Sequence, residues 1–144
     1  MVITTTTFGL FSTALIPSEP QRSEVDIASE FAQRTKMKTR AAIPEDVPRI
    51  ISMIRGIAAY EKLSHQLEIN EVSLQESLFG KNPVPRALVA LSENKIVGYA
   101  IFFYNFSTFI GRPGIYLEDL YVEPDYRGKG FGDALFQSVA KNEI

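Results

Sequence analysis

The period of the hydrophobic positions changes along the chain. Val47, Ile50, Ile51, Ile54, Ile57 and Ala58 recur every three or four residues, the spacing of a helix with one buried face. Pro44 suits the first helical position, where its missing N–H costs nothing. Glu45 and Asp46 follow where the helix dipole favours negative charge. Glu71 to Phe79 predicts a second, shorter helix closed by Gly80. The texture then turns to runs dense in Val, Ala, Ile, Phe and Tyr: Arg86 to Leu91, Ile96 to Phe106 and Ile115 to Val122. Ser92-Glu93-Asn94-Lys95 joins the first two as a hairpin, and Gly111-Arg112-Pro113-Gly114 precedes the third. Tyr99, Phe102, Phe103, Tyr104 and Phe106 read as sheet packing. Gly130 to Asn142 returns to helical spacing through Phe131, Leu135, Phe136 and Val139. With Met37 to Ala42 as a first strand, the order is strand, two helices, three strands, helix. That order predicts an α/β (α+β) layer in which helices cover a largely antiparallel sheet.

Residues 1–36 read differently and are taken as an N-terminal extension, with residues 37–144 as the packed domain. Thr4 to Thr7 form a run of threonines, Pro17 and Pro20 interrupt any period, and Glu24 to Gln33 predicts a short helix. Phe8 to Ile16 is apolar, but Met1 to Glu19 hold no Lys or Arg, unlike a secretory or mitochondrial leader. A hydroxyl-rich plastid-type transit peptide stays open, beside a cytoplasmic location.

Composition narrows the chemistry. At 45% hydrophobic and 22% charged, the 144 residues match an ordinary globular domain. The net charge of −2 gives no bulk attraction to nucleic acid or to a membrane surface. No apolar run approaches the roughly 18 residues of a membrane span. The absence of cysteine excludes disulfides, thiolate zinc sites and a thioester on the protein. One histidine, His65, builds no metal cluster, so no metal is expected; it reads as a surface loop residue.

The chemistry lies in Leu117-Glu118-Asp119-Leu120-Tyr121-Val122-Glu123-Pro124-Asp125-Tyr126-Arg127-Gly128-Lys129-Gly130-Phe131-Gly132. A strand enters a basic, glycine-rich turn that opens a helix. The first amides of a helix have no partner within it, and the dipole places about half a positive charge there. Gly128, Gly130 and Gly132 remove the Cβ atoms that would hold a diphosphate off the backbone, while Arg127 and Lys129 add charge. The turn is also compatible with a purely structural role. A Walker-type loop needs Ser or Thr after its lysine, and here Gly132 leads into Asp133-Ala134. The spacing of a dinucleotide fingerprint is likewise unmet.

Arg127-Gly128-Lys129-Gly130-Phe131-Gly132 resembles the Arg/Gln-x-x-Gly-x-Gly/Ala signature of the GNAT N-acetyltransferase superfamily. Ile96-Val97-Gly98-Tyr99, Phe109-Ile110-Gly111, Tyr116-Leu117-Glu118-Asp119 and Ala59-Tyr60-Glu61 look like diamine (spermidine/spermine) acetyltransferases in particular. The likeness implies a GNAT fold with helices on both faces of the sheet, acetyl-CoA as cosubstrate and a small cationic amine as acceptor. It implies that the backbone of Gly128 to Asp133 (Gly128, Lys129, Gly130, Phe131, Gly132, Asp133), with Arg127 beside it, holds the diphosphate. Leu120, Tyr121 and Val122 would accompany the pantetheine arm, with a strand bulge near Asp119-Leu120. Glu118 would be the base that frees the amine, with Tyr60, Glu61 and Asp119 lining the amine site. Enzymes of this type continue past the last helix with another strand, a helix and further strands that wall the cosubstrate slot, and the strand edge left open without them predicts a homodimer or swapped assembly. The alternatives are a cosubstrate-binding protein without catalysis and an interaction domain that keeps only the fold.

Overall fold

The structure, a computed structural model, describes residues 23–141. Four strands, Met37–Ala41 (β1), Arg86–Ser92 (β2), Lys95–Ser107 (β3) and Arg112–Val122 (β4), form one antiparallel sheet in the order β1-β2-β3-β4. The helices are Glu24–Lys36 (α1), Val47–Tyr60 (α2), Glu71–Phe79 (α3) and Phe131–Ala140 (α4). The elements match the sequence periods, except that α1 extends to Lys36 and leads directly into β1. The reading of residues 1–22 as an extension or targeting segment lies outside the described residues.

Alternation along the strands sends neighbouring side chains to opposite faces, and each face meets helices. Val89, Tyr99, Ile101 and Tyr121 pack with Ile50, Ile51 and Ile54 of α2 and with Leu74 and Leu78 of α3. Leu88, Ala100, Phe102, Leu120 and Val122 pack with Phe131, Leu135 and Val139 of α4. Each fully buried Leu, Ile or Phe adds roughly 1.5–3 kcal/mol of transfer free energy. Gly98 lets β3 lie close to β4: a Cβ there would stand 2.6 Å from the Tyr121 carbonyl oxygen.

One local expectation is corrected. Pro44 opens a single 3-10 turn, and α2 starts at Val47 with Pro48 in its first turn. Asp46 does stand at the N-terminus of α2, as expected, and it has a partner there. Its buried carboxylate accepts from the two terminal nitrogens of Arg40, at 2.6 and 3.0 Å, and from the Ile43 N–H at 2.9 Å, tying β1 to α2. Burial raises its pKa, but these hydrogen bonds and the guanidinium charge outweigh that effect and hold it below the ordinary carboxylate value. Gly80 does follow α3, but with φ −71° rather than a left-handed turn. It is glycine because a Cβ would lie 2.4 Å from the Glu76 carbonyl.

Tyr99 and Phe102 are fully buried, and Phe103 stacks on Tyr116 with centroids 4.9 Å apart. Tyr104 and Phe106, expected as packing, are exposed, because the outer part of β3 runs past the buried stretch.

A bulge interrupts β4 one position earlier than expected. Ile101 pairs with Asp119 and Phe102 with Leu117, leaving Glu118 as the extra residue. Strict alternation would put residues 117, 119 and 121 on one face. The extra residue turns Leu117 to the α4 side while Tyr121 stays on the α2 side.

Candidate functional site

Beyond Val122 the chain makes a 3-10 turn, Pro124–Tyr126, and reaches α4 through Arg127 to Gly130. Gly128 has φ +72° and Gly130 φ +89°. An L side chain in this left-handed region costs about 1–2 kcal/mol. No side chain caps α4, and the first amide to bond within it is that of Ala134, to the Gly130 carbonyl at 3.0 Å. The N–H groups of Phe131, Gly132 and Asp133 therefore have no partner inside the helix. A Cβ on Gly128 would meet nothing within 4 Å, so the loop backbone opens onto free space. Gly132 differs from the other two in having no positive φ, and a Cβ there would make only ordinary contact with Leu120 and Val122.

A cleft of about 330 Å³ lies at this point, lined by Leu120, Val122, Tyr126, Arg127, Gly128, Gly130, Gly132, Asp133 and Phe136. Seven of these were expected from the sequence. Tyr126 and Phe136 were not, although an exposed phenylalanine beside the buried Leu135 is a signal that it faces something other than the core. The other three expected residues are absent from the lining. The Phe131 side chain is buried edge-on to Tyr126, Tyr121 packs on the α2 face, and Lys129 is outside the lining.

Charge is arranged with more structure than its sequence order implied. Arg127 donates from Nε to the Val122 carbonyl at 2.8 Å, and its guanidinium lies 5.6 Å from the Tyr121 ring centre, so it braces the loop against β4. The ammonium groups of Lys129 and Lys95 flank the Tyr126 ring at 5.4 and 5.5 Å. Asp133, in the first turn of α4, is the one carboxylate lining the cleft. β4 is the last strand of the sheet, and its outer backbone edge pairs with no other strand among the described residues.

At the bulge stand the carboxylates. Glu118 is exposed, and Asp119 is half-buried and accepts a hydrogen bond from the Tyr99 hydroxyl at 3.3 Å. Burial raises the Asp119 pKa, Glu118 raises it further, the Tyr99 hydrogen bond opposes, and Glu61 adds to the rise. Burial, followed by the charge of Asp119, keeps the Tyr99 phenol protonated. Glu61 follows the last turn of α2, where its N–H bonds to the Ile57 carbonyl at 2.9 Å. Tyr60, beside it, has 76% of its surface exposed. The structure thus brings Glu61, Glu118 and Asp119 into one region of negative potential, suited to a cation. It brings Tyr60 to the end of the same helix without burying it. His65 is exposed in a short 3-10 turn after α2.

The sequence model of the Acetyltransferase (GNAT) family matches residues 50–142. The mouse thialysine N-epsilon-acetyltransferase is 40% identical over 112 residues, covering 72% of this chain and 65% of that protein. An L-ornithine N5-acetyltransferase of Arabidopsis thaliana is 26% identical, over 87% of this chain and 75% of its own length. The chain spans about two thirds of the length of the thialysine acetyltransferases of mouse, pig and cattle. A solved aminoglycoside acetyltransferase from an uncultured soil metagenomic sample, in complex with trehalose, superposes with a TM-score of 0.61. It is 24% identical and covers 76% of this chain and 70% of its own. That likeness is one of fold.

Proposed function

Because the chain belongs to the GNAT acetyltransferase family, we propose that it transfers acetyl from acetyl-CoA to a primary amine of a diamine, polyamine or lysine-like small molecule. One observation carries this reading: the uncapped amides of α4 and the carboxylates of the bulge are joined by the same short strand. An anion site and a cation site thus lie at the two ends of Asp119 to Val122. The relatives named for thialysine and ornithine acetylation support an amine acceptor.

In this reading the backbone from Gly128 to Asp133 holds the diphosphate of acetyl-CoA, and Arg127 fixes the loop that presents those amides. The open space at Gly128 fits such a group. Leu120 and Val122 form the apolar floor beneath the pantetheine arm, with Phe136 beside them. A primary amine of pKa about 10.4 is almost wholly protonated at neutral pH and is then no nucleophile. Glu118, exposed at the bulge, takes that proton directly or through water. The freed nitrogen attacks the thioester carbonyl, the C–S bond breaks, and the proton that the nitrogen sheds on becoming an amide neutralises the departing CoA thiolate. Asp119 and Glu61 supply the counter-charge for a second ammonium group, and Tyr60 forms an outer wall. The implied homodimer belongs to this reading too, and the unpaired edge of β4 suits it.

The test is Glu118→Gln, assayed with acetyl-CoA and a series of dibasic amines. A fall in kcat of about 100-fold with unchanged calorimetric affinity for CoA is expected, the usual scale of a general base. Unchanged kcat in the variant would overturn the role of Glu118. Tight CoA binding with no transfer to any amine by the unaltered protein would favour a binding protein without catalysis.

A further inference from the structure

Tyr99 is fully buried in the centre of β3, among apolar side chains of the α2 face. A phenylalanine would fill the same volume, and a buried hydroxyl costs free energy unless it is hydrogen-bonded. Its bond goes to Asp119 Oδ2, on the neighbouring strand. The register explains the reach. Tyr99 pairs with Tyr121 and Ile101 with Asp119, so Tyr99 and Asp119 are diagonal neighbours beside the bulge. We propose that Tyr99 is a positioning residue for the amine, holding Asp119 from inside the sheet as the counter-charge for the distal ammonium of a dibasic acceptor. This rests on the amine-site reading given above.

The groups around Asp119 make Tyr99 distinctive. Glu118 from β4 and Glu61 from the end of α2 both disfavour a second negative charge, as does burial, while Tyr121 lies beside Tyr99 with ring centres 6.1 Å apart. Of the three side chains that act on the Asp119 charge, Tyr99 is the one that favours the ionised carboxylate. Without its hydroxyl, Asp119 becomes protonated at a higher pH and loses its fixed orientation. The loss falls on acceptors with two charges, since an amine with one ammonium makes no use of Asp119.

The experiment compares Tyr99→Phe, Asp119→Asn and the double variant with the unaltered protein. Calorimetry gives Kd for 1,4-diaminobutane and for butylamine at saturating CoA. Carboxyl-carbon NMR follows the titration of Asp119 in the free protein. Tyr99→Phe is expected to weaken the diamine about tenfold, to leave butylamine within about twofold, and to move the Asp119 midpoint upward, with little further loss in the double variant. Equal effects on both amines, or an unmoved midpoint, would overturn the inference while leaving the amine site intact, provided Asp119→Asn still removes the diamine preference. If the unaltered protein shows no diamine preference, or binds neither amine, the amine-site reading itself fails and the inference falls with it.

Discussion

Gly128 and Gly111 offer a matched pair for testing the anion site. Both have positive φ, +72° and +64°, and at both an added Cβ would meet nothing within 4 Å. Alanine at either position therefore carries the same backbone strain, about 1–2 kcal/mol, with no clash. Reduced freedom of the unfolded chain returns about 0.4–1 kcal/mol of that. Each variant should lose roughly 1 kcal/mol, a fall in Tm of a few degrees for a domain of this size. Their positions differ, since Gly128 lines the cleft and Gly111 lies in the β3–β4 turn. A methyl at Gly128 would hold a phosphate away from the loop amides. Charge-assisted hydrogen bonds contribute about 1.5–3 kcal/mol each, so losing one weakens CoA about 10- to 100-fold. Calorimetric titration with CoA, beside thermal scans of both variants, makes the comparison. Gly128→Ala should lose affinity and Gly111→Ala should keep it at matched stability. Equal CoA affinities in the two variants would refute the argument that the glycine turn is a diphosphate cradle.

Two predictions concern stability. Gly98→Ala should destabilise by about 1–3 kcal/mol in denaturant titration, because its Cβ meets a backbone carbonyl that cannot swing aside. Asp46 has a lowered folded-state pKa. Its contribution is therefore complete above the unfolded value of about 4 and is lost as pH falls through the folded value. Asp46→Asn should cost about 1–2 kcal/mol near neutrality, after allowance for the solvent that reaches Arg40, and should flatten the loss of stability below pH about 4. An unchanged acid limb in urea titrations of the variant would show that Asp46 is not depressed in the folded protein.

The sheet and its helices were legible in the sequence because each segment repeats one period long enough to declare itself. Ile50, Ile51, Ile54 and Ile57 mark one helical face, and all four are buried. The glycine loop was legible for another reason: its glycine spacing and charge sign are local to a few consecutive residues. Phe136 and Tyr126 are not legible as cleft residues, since an aromatic ring fits a core pattern as readily as a cleft wall. Tyr99 reads as packing, which it is, but its hydroxyl has a partner twenty residues away. The bulge was misplaced because one extra residue leaves no mark on composition.

The amino-acid order alone determined the two hydrophobic periods, the glycine turn into the last helix and the family likeness they carry, since all depend on neighbours within a few residues. Tertiary structure decided where the bulge falls, that Asp46 is spent on Arg40, that Arg127 braces a strand end, and which carboxylates share one field. Those outcomes depend on distances between segments far apart in the chain, and such distances exist only once strand register and helix packing have been chosen together.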